Sequence, residues 1–195
     1  MLLEIIQQCN WVDVFIVILL LRIIYIALKN GLPIEMFKLL GVLLAIYISF
    51  HYYTLFSDWL GERLPAIQEK SPLEFLDFFV FVVLAIFTYL VFVGVRITFY
   101  RFIKMEAVPR LSQFGGLILG ILRGVLLVGL IMYALVISSI AYLNGSVHKS
   151  YLGRRFFEIA PATYSKLWNS IASKFMTTEK FNNTILEVQE GFRQE

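Results

Sequence analysis

The stretch Gln113-Phe-Gly-Gly-Leu-Ile-Leu-Gly-Ile-Leu-Arg-Gly-Val125 decides the fold class of this chain. Within it Gly116, Gly120 and Gly124 recur every four residues, and Arg123 stands beside the last of them. On an α-helix that period lays the three glycines in one bare stripe, along which another backbone can approach closely. The residues around the stripe are apolar. An arginine among them is costly unless it meets a partner, a cavity or the bilayer interface. The pattern therefore points to a membrane protein in which helix–helix contact carries the work.

Composition agrees. The 195 residues are 59% apolar and 16% charged, with a mean hydropathy of +0.77, whereas soluble domains are about half apolar and about a quarter charged. A net charge of +3, spread between apolar blocks without a zinc-ligand or RNA-binding signature, argues against a nucleic-acid partner. Cys9 is the one cysteine, so no intrachain disulfide forms, and it reads as a small apolar residue. Glu4 and the lack of an early basic residue mark the start as a retained membrane segment rather than a cleaved signal.

Four apolar blocks follow one another: residues 12–28, 34–53, 75–99 and 114–143. The first three approach the ~20 residues needed to cross a ~30 Å hydrocarbon core as helix. The fourth is too long for one upright crossing, since about 30 residues at 1.5 Å each reach roughly 45 Å. Residues 125–143 are uncharged and make a crossing alone. The glycine-rich piece before them, 109–123, is then a short re-entrant or interfacial helix, which lets Arg123 snorkel to the interface. The competing reading is one long helix with Arg123 buried near mid-depth.

The expected fold is all-α: a polytopic bundle of about four transmembrane helices, the glycine-rich helix, and an amphipathic tail. Domain organisation is read as a transmembrane part, 1–143, and a helical tail, 144–195. In the tail Tyr164, Leu167, Trp168, Ile171 and Phe175 share a helical face, as do Phe181, Ile185, Val188 and Phe192. These faces are expected to lie on the membrane or on a partner, with Pro161 starting the first helix.

Loop charges set the orientation. Lys29 and Lys38 flank the first link; Arg96, Arg101, Lys104 and Arg110 crowd the third. The second link carries Asp58, Glu62, Glu69, Glu74 and Asp77 against Arg63 and Lys70. The positive-inside rule places the first and third links in the cytoplasm, with both termini outside.

Several polar residues invite a closer reading. Asp13 opens the first span and suits the positive end of the helix dipole, or a basic group or cation. Arg22 lies mid-span with no carboxylate three or four residues away, so it either marks a functional site or bonds the carbonyls of a neighbour. Glu35 and Lys38 read as an interfacial i, i+3 pair on the first turn of the second span. Gly31 and Pro33 make the preceding link a tight helical hairpin. His51 and His148 have no companions at metal-binding spacing, so no metal is expected. The glycosylation patterns at Asn144 and Asn182 are too short to weigh. No nucleophile–base set, paired carboxylates or phosphate loop is visible, so neither enzyme activity nor a cofactor is expected.

Asn10-Trp-Val-Asp13, then Lys29-Asn-Gly31 and Glu35, resembles the first hairpin of the colicin V production protein family. Gly116, Gly120, Leu122, Arg123 and Gly124 resemble that family's glycine–Leu–Arg–Gly signature before its last span. The resemblance covers about residues 10–143. Ser112-Gln113 stand where the family often has an Asp–Arg pair, and Asn30 precedes Gly31 where it has arginine. What the resemblance implies is a bacterial inner-membrane protein tied to colicin V production or export and to envelope upkeep. Expected partners are the lipid bilayer and either further copies of the chain or other membrane proteins, met along the glycine stripe with Arg123 as polar anchor. The alternative is a small oligomeric transporter or channel in which Arg22 and Arg123 line a path for a small solute or anion.

Overall fold

Gly31, with φ 72° and ψ 171°, is the one described residue whose backbone enters the left-handed half of conformational space. It interrupts the first helix of a computed structural model that describes residues 10–63, 73–102, 109–138 and 140–194. Helix α1 (Trp11–Arg63) therefore has two arms, 11–30 and 32–63, joined at this glycine, with Pro33 in the first turn of the second arm. Proline fits there because a first-turn N–H has no helical acceptor. Helix α2 is Leu73–Phe102 and α3 is Pro109–Ile137. Among the described residues these three helices are long and apolar enough to cross a membrane.

The contacts give the directions. A Cβ added to Gly116 would meet the backbone of Gly31, one on Gly120 would meet Ala27, and one on Gly124 would meet Leu20 and Ile23. Helix α3 thus runs antiparallel to the first arm. Along the second arm Glu35 meets Arg123 and Phe50 meets Tyr133, so there α3 runs parallel. The two arms must then point in opposite directions, folded back at Gly31. Helix α2 runs against the second arm, with Phe37 on Phe99 at one end and Tyr53 on Phe81 at the other.

The structure corrects the expectation of a separate re-entrant helix. The glycine-rich stretch and the apolar run after it form the single helix α3. Arg123 lies at its middle and is buried, 7% exposed. The interfacial position that favoured a broken element is unnecessary, because Arg123 has an interior partner. The stripe is also filled from within the chain, by α1, and is not the open contact surface expected from the sequence.

The tail differs in placement too. After α3 come α4 (Ala141–Lys149), α5 (Tyr151–Phe157), α6 (Ile159–Leu167), the widened turn Trp168–Ala172, the short α7 (Ser173–Phe175) and α8 (Thr184–Gln194). Tyr164, Trp168, Ile185 and Phe192 turn inward and are buried, whereas Ile171 and Phe175 remain exposed. The inward faces cover the end of the bundle opposite Gly31. An aromatic column runs from Phe50 through Tyr133 and Phe157 to Phe192, with ring centroids 4.4, 5.8 and 4.1 Å apart. One apolar core therefore passes through residue 143 into the tail. Pro161 is buried inside the first turn of α6. Cys9 and the link residues Glu69, Lys70, Lys104 and Glu106 lie outside the described residues.

The glycine contacts rank the cost of adding a methyl group. At Gly116 the new carbon would sit 2.7 Å from the carbonyl carbon of Gly31, and at Gly120 it would strike the Cβ of Ala27; neither neighbour can rotate away. At Gly115 it meets the Leu32 side chain alone, most closely its Cδ1, which can rotate away. Gly116→Ala and Gly120→Ala should each lower the thermal unfolding midpoint of the detergent-purified protein by several degrees, and Gly115→Ala by much less. Equal midpoints for the three variants would show that α3 does not pack this closely on α1.

Candidate functional site: a charged cluster at the hairpin bend

Close approach of α3 to the bend of α1 brings four polar side chains together. Glu35, one turn past Gly31, is fully buried. Its Oε2 accepts from Arg123 Nε at 2.9 Å. Its Oε1 accepts from Lys38 Nζ at 3.0 Å and from Asn30 Nδ2 at 2.8 Å. A Cβ on Gly120 would lie 3.5 Å from Glu35 Oε2, so the bare stripe is what admits the carboxylate beside α3. Lys38 reaches it as the i+3 neighbour on the same helical face.

The chemistry is that of a clamp. A carboxylate offers about four acceptor sites, and three are taken here by donors, two of them cationic. Two cations face one anion, so the cluster keeps a local positive charge while the buried carboxylate is neutralised. A charge in such surroundings is tolerable only when paired and hydrogen-bonded. The cluster thus ties the first arm (Asn30), the second arm (Glu35, Lys38) and α3 (Arg123) at one point.

Ser112 completes the bend. Its Oγ accepts from the Leu32 N–H at 3.1 Å, taking one donor left over where the second arm starts. A side chain at residue 31 would strike that oxygen. Glycine is therefore required there twice, for its φ and for space.

The other residues singled out from the sequence lie elsewhere. Asp13, at the far end of α1, is 7% exposed. It accepts from its own Asn10 N–H at 3.2 Å, and from the Ser150 hydroxyl at 2.7 Å and the Leu152 N–H at 2.8 Å. It caps α1 and the start of α5 together, as the dipole reading of a first-turn carboxylate allows. Arg22 is exposed on the outer face of the first arm, away from the cluster and without an ionic partner among the described residues.

Sequence reasoning placed Glu35 and Lys38 together but missed Arg123 as their partner, 88 positions along the chain. It also missed a second polar tie. His51 bridges Tyr164 Oη (2.9 Å) and Glu179 (2.7 Å), and Asn182 Nδ2 donates to the Phe50 carbonyl at 2.8 Å. Burial foremost, with nearby Tyr47 and Glu179 adding to it, pushes the Tyr164 phenol up to about 12. Tyr164 is therefore neutral, and its hydroxyl shares a hydrogen bond with His51 Nδ1 while Nε2 faces the Glu179 carboxylate. Both histidine contacts hold the tail on the bundle. The signal available beforehand was the spacing of Tyr164 and Trp168 on one face, which says that a face is covered but not by what.

Three long apolar helices around a buried ion cluster make this a helical membrane protein. The colicin V production protein family matches residues 12–161, and the chain belongs to that family. No curated protein and no solved structure matches it.

Removing one member of the clamp leaves a buried charge unpaired, at a cost of about 3–5 kcal/mol. Arg123→Leu should unfold the protein or deplete it from membranes, and Arg123→Lys should lower its unfolding midpoint. The double variant Glu35→Gln/Arg123→Gln should be more stable than Arg123→Gln alone. Purely additive losses across that cycle would mean that the two residues do not interact.

Proposed function

We propose that the protein is an inner-membrane, multi-pass member of its family that supports colicin V-type toxin production and export and envelope upkeep by docking to other membrane proteins. On this reading the two arms of α1 each cross the bilayer, so that with α2 and α3 there are four crossings. The Gly31 end lies in the cytoplasm, in keeping with Lys29, Lys38, Arg96 and Arg101 gathered there. The tail then caps the periplasmic end.

One observation carries the docking role. Arg22 is exposed within an exposed apolar face of the first arm that includes Ile18, Leu21 and Tyr25. It lies about 13 Å along the helix from Gly31, at 1.5 Å per residue, and so near mid-depth. An arginine facing lipid tails at that level is costly, and a partner helix offering a carboxylate or free carbonyls relieves the cost. The glycine stripe is already filled, which leaves this outer face for a partner. The transporter alternative finds less support. The cavity between α1, α2 and α3, about 320 Å³, is lined by apolar side chains such as Val42, Phe81 and Leu130, and offers no ligands to a charged solute.

Two measurements test this reading. In a Cys9→Ser chain, Arg101→Cys should resist an impermeant thiol reagent applied to spheroplasts and Ser71→Cys should react; the reverse pattern inverts the orientation. A photo-crosslinking residue at Leu21 should trap a protein partner in membranes, and Arg22→Leu should reduce that product severalfold without lowering the protein level. Crosslinks to lipid alone at Leu21 would leave the face without a docking role.

A further inference from the structure

A second basic site lies at the same end of the bundle, on its outer side. The bend of α1 and the first turns of its second arm, with the last turns of α2, enclose a cleft of about 480 Å³ lined by Asn30, Ile34, Lys38, Arg96, Ile97, Tyr100 and Arg101. Ile34 and Lys38 fall on one face of the second arm, with Asn30 beside them at the bend, and Arg96, Ile97, Tyr100 and Arg101 fall on one side of α2, so two helix faces converge on it. Three cations line the cleft and, among the described residues, no carboxylate does. Lys38 is already held by Glu35. Arg96 and Arg101 have no ionic partner among the described residues.

Tyr100 gives the cleft a directed neutral donor. Phe37 packs against its ring edge-on at 5.6 Å and fixes its orientation. The hydroxyl oxygen is buried and has no hydrogen-bond partner among the described residues. A buried hydroxyl without a partner is unfavourable unless something at the site accepts from it. Two guanidinium groups, an ammonium and a phenol O–H facing one space suit a compact polyoxygen anion, to which arginine presents paired parallel donors.

We propose that this cleft binds a phosphate group, and that the phosphate belongs to an anionic phospholipid of the surrounding leaflet. The lipid source follows from what adjoins the cleft. Ile97 is 62% exposed, and the exposed Leu90 and Ile86, seven and eleven residues back on the same side of α2, continue an outward apolar face toward mid-membrane. A headgroup seated among Arg96, Tyr100 and Arg101 would lay its acyl chains along that face. Basic recesses between transmembrane helices near the membrane surface bind headgroups in this manner. A soluble phosphate ester shares the headgroup chemistry but makes no use of the apolar face. The site is separate from the Arg22 face and does not depend on the docking role.

The test uses the full chain purified in a zwitterionic detergent, with binding read by native mass spectrometry and by the shift in unfolding midpoint. The probes are phosphatidylglycerol, phosphatidylcholine, inorganic phosphate and glycerol 3-phosphate. Phosphatidylglycerol should bind in preference to phosphatidylcholine and should weaken as salt rises. Arg96→Gln/Arg101→Gln should weaken it about tenfold or more, and Tyr100→Phe severalfold. Arg193→Gln, which removes an exposed cation from the tail, should leave binding unchanged. Each variant's midpoint without lipid separates loss of binding from loss of fold. Arginine-dependent binding of the two soluble phosphates, with phosphatidylglycerol failing to compete, would keep the phosphate site but overturn the lipid source. Equal retention of the two lipids, or binding by the double variant within twofold of the native chain, would overturn the proposal as a whole.

Discussion

Helix α3 can lie against the bend of α1 only because no side chain stands between them. Gly116 meets the backbone of Gly31 and Gly120 meets Ala27 at separations that exclude even a methyl group. Inside a membrane, apolar side chains gain little by leaving lipid for one another, so association depends on close van der Waals contact and on polar bonds. The glycine stripe supplies the first. It also sets the distance at which the second becomes possible, since Arg123 reaches Glu35 only from a helix seated this closely. The clamp and the stripe are therefore one device, and the direction of α3 relative to both arms of α1 follows from it.

The opposite end of the bundle is held by other means. Aromatic stacking from Phe50 to Phe192, the Asp13 contacts to Ser150 and Leu152, and the His51 bridge between Tyr164 and Glu179 fasten the tail onto it. One end is thus fixed by ion pairing beside a glycine contact, and the other by ring packing and hydrogen bonds to the carboxylates of Asp13 and Glu179. Lys29, Lys38, Arg96 and Arg101 gather at the first, whereas at the second the basic residues of the tail are interspersed with Glu158, Glu179, Glu187 and Glu190. That asymmetry gives the molecule a basic end, where the cleft between α1 and α2 opens, and an end sealed by its own tail.

Membership in the colicin V production protein family gives this arrangement a cellular setting. The internal clamp explains how the bundle is held together, and it leaves the outer faces of the helices uncovered by the chain itself. Arg22 on one face and the arginine-lined cleft beside another are two places where, among the described residues, basic groups at the surface have no ionic partner.

Much was legible in the residues alone. Apolar blocks of crossing length, the glycine period, the turn at Gly31 and the i, i+3 pairing of Glu35 with Lys38 are local properties, set by helix geometry and backbone sterics within a few residues. So was the need for Arg123 to meet a partner, a cavity or the bilayer interface, because the cost of an arginine among apolar residues does not depend on the fold. Which partner it finds was not legible. Glu35 lies 88 positions away, and periodicity carries no information about which helix faces which. The break expected before residue 125 failed for the same reason: depth was inferred from the cost of an unpaired charge, and tertiary packing removed that cost by pairing it. The tail's apolar faces were visible as spacing, but only the folded chain decided that its own bundle, through Tyr133, Phe157 and His51, would cover them.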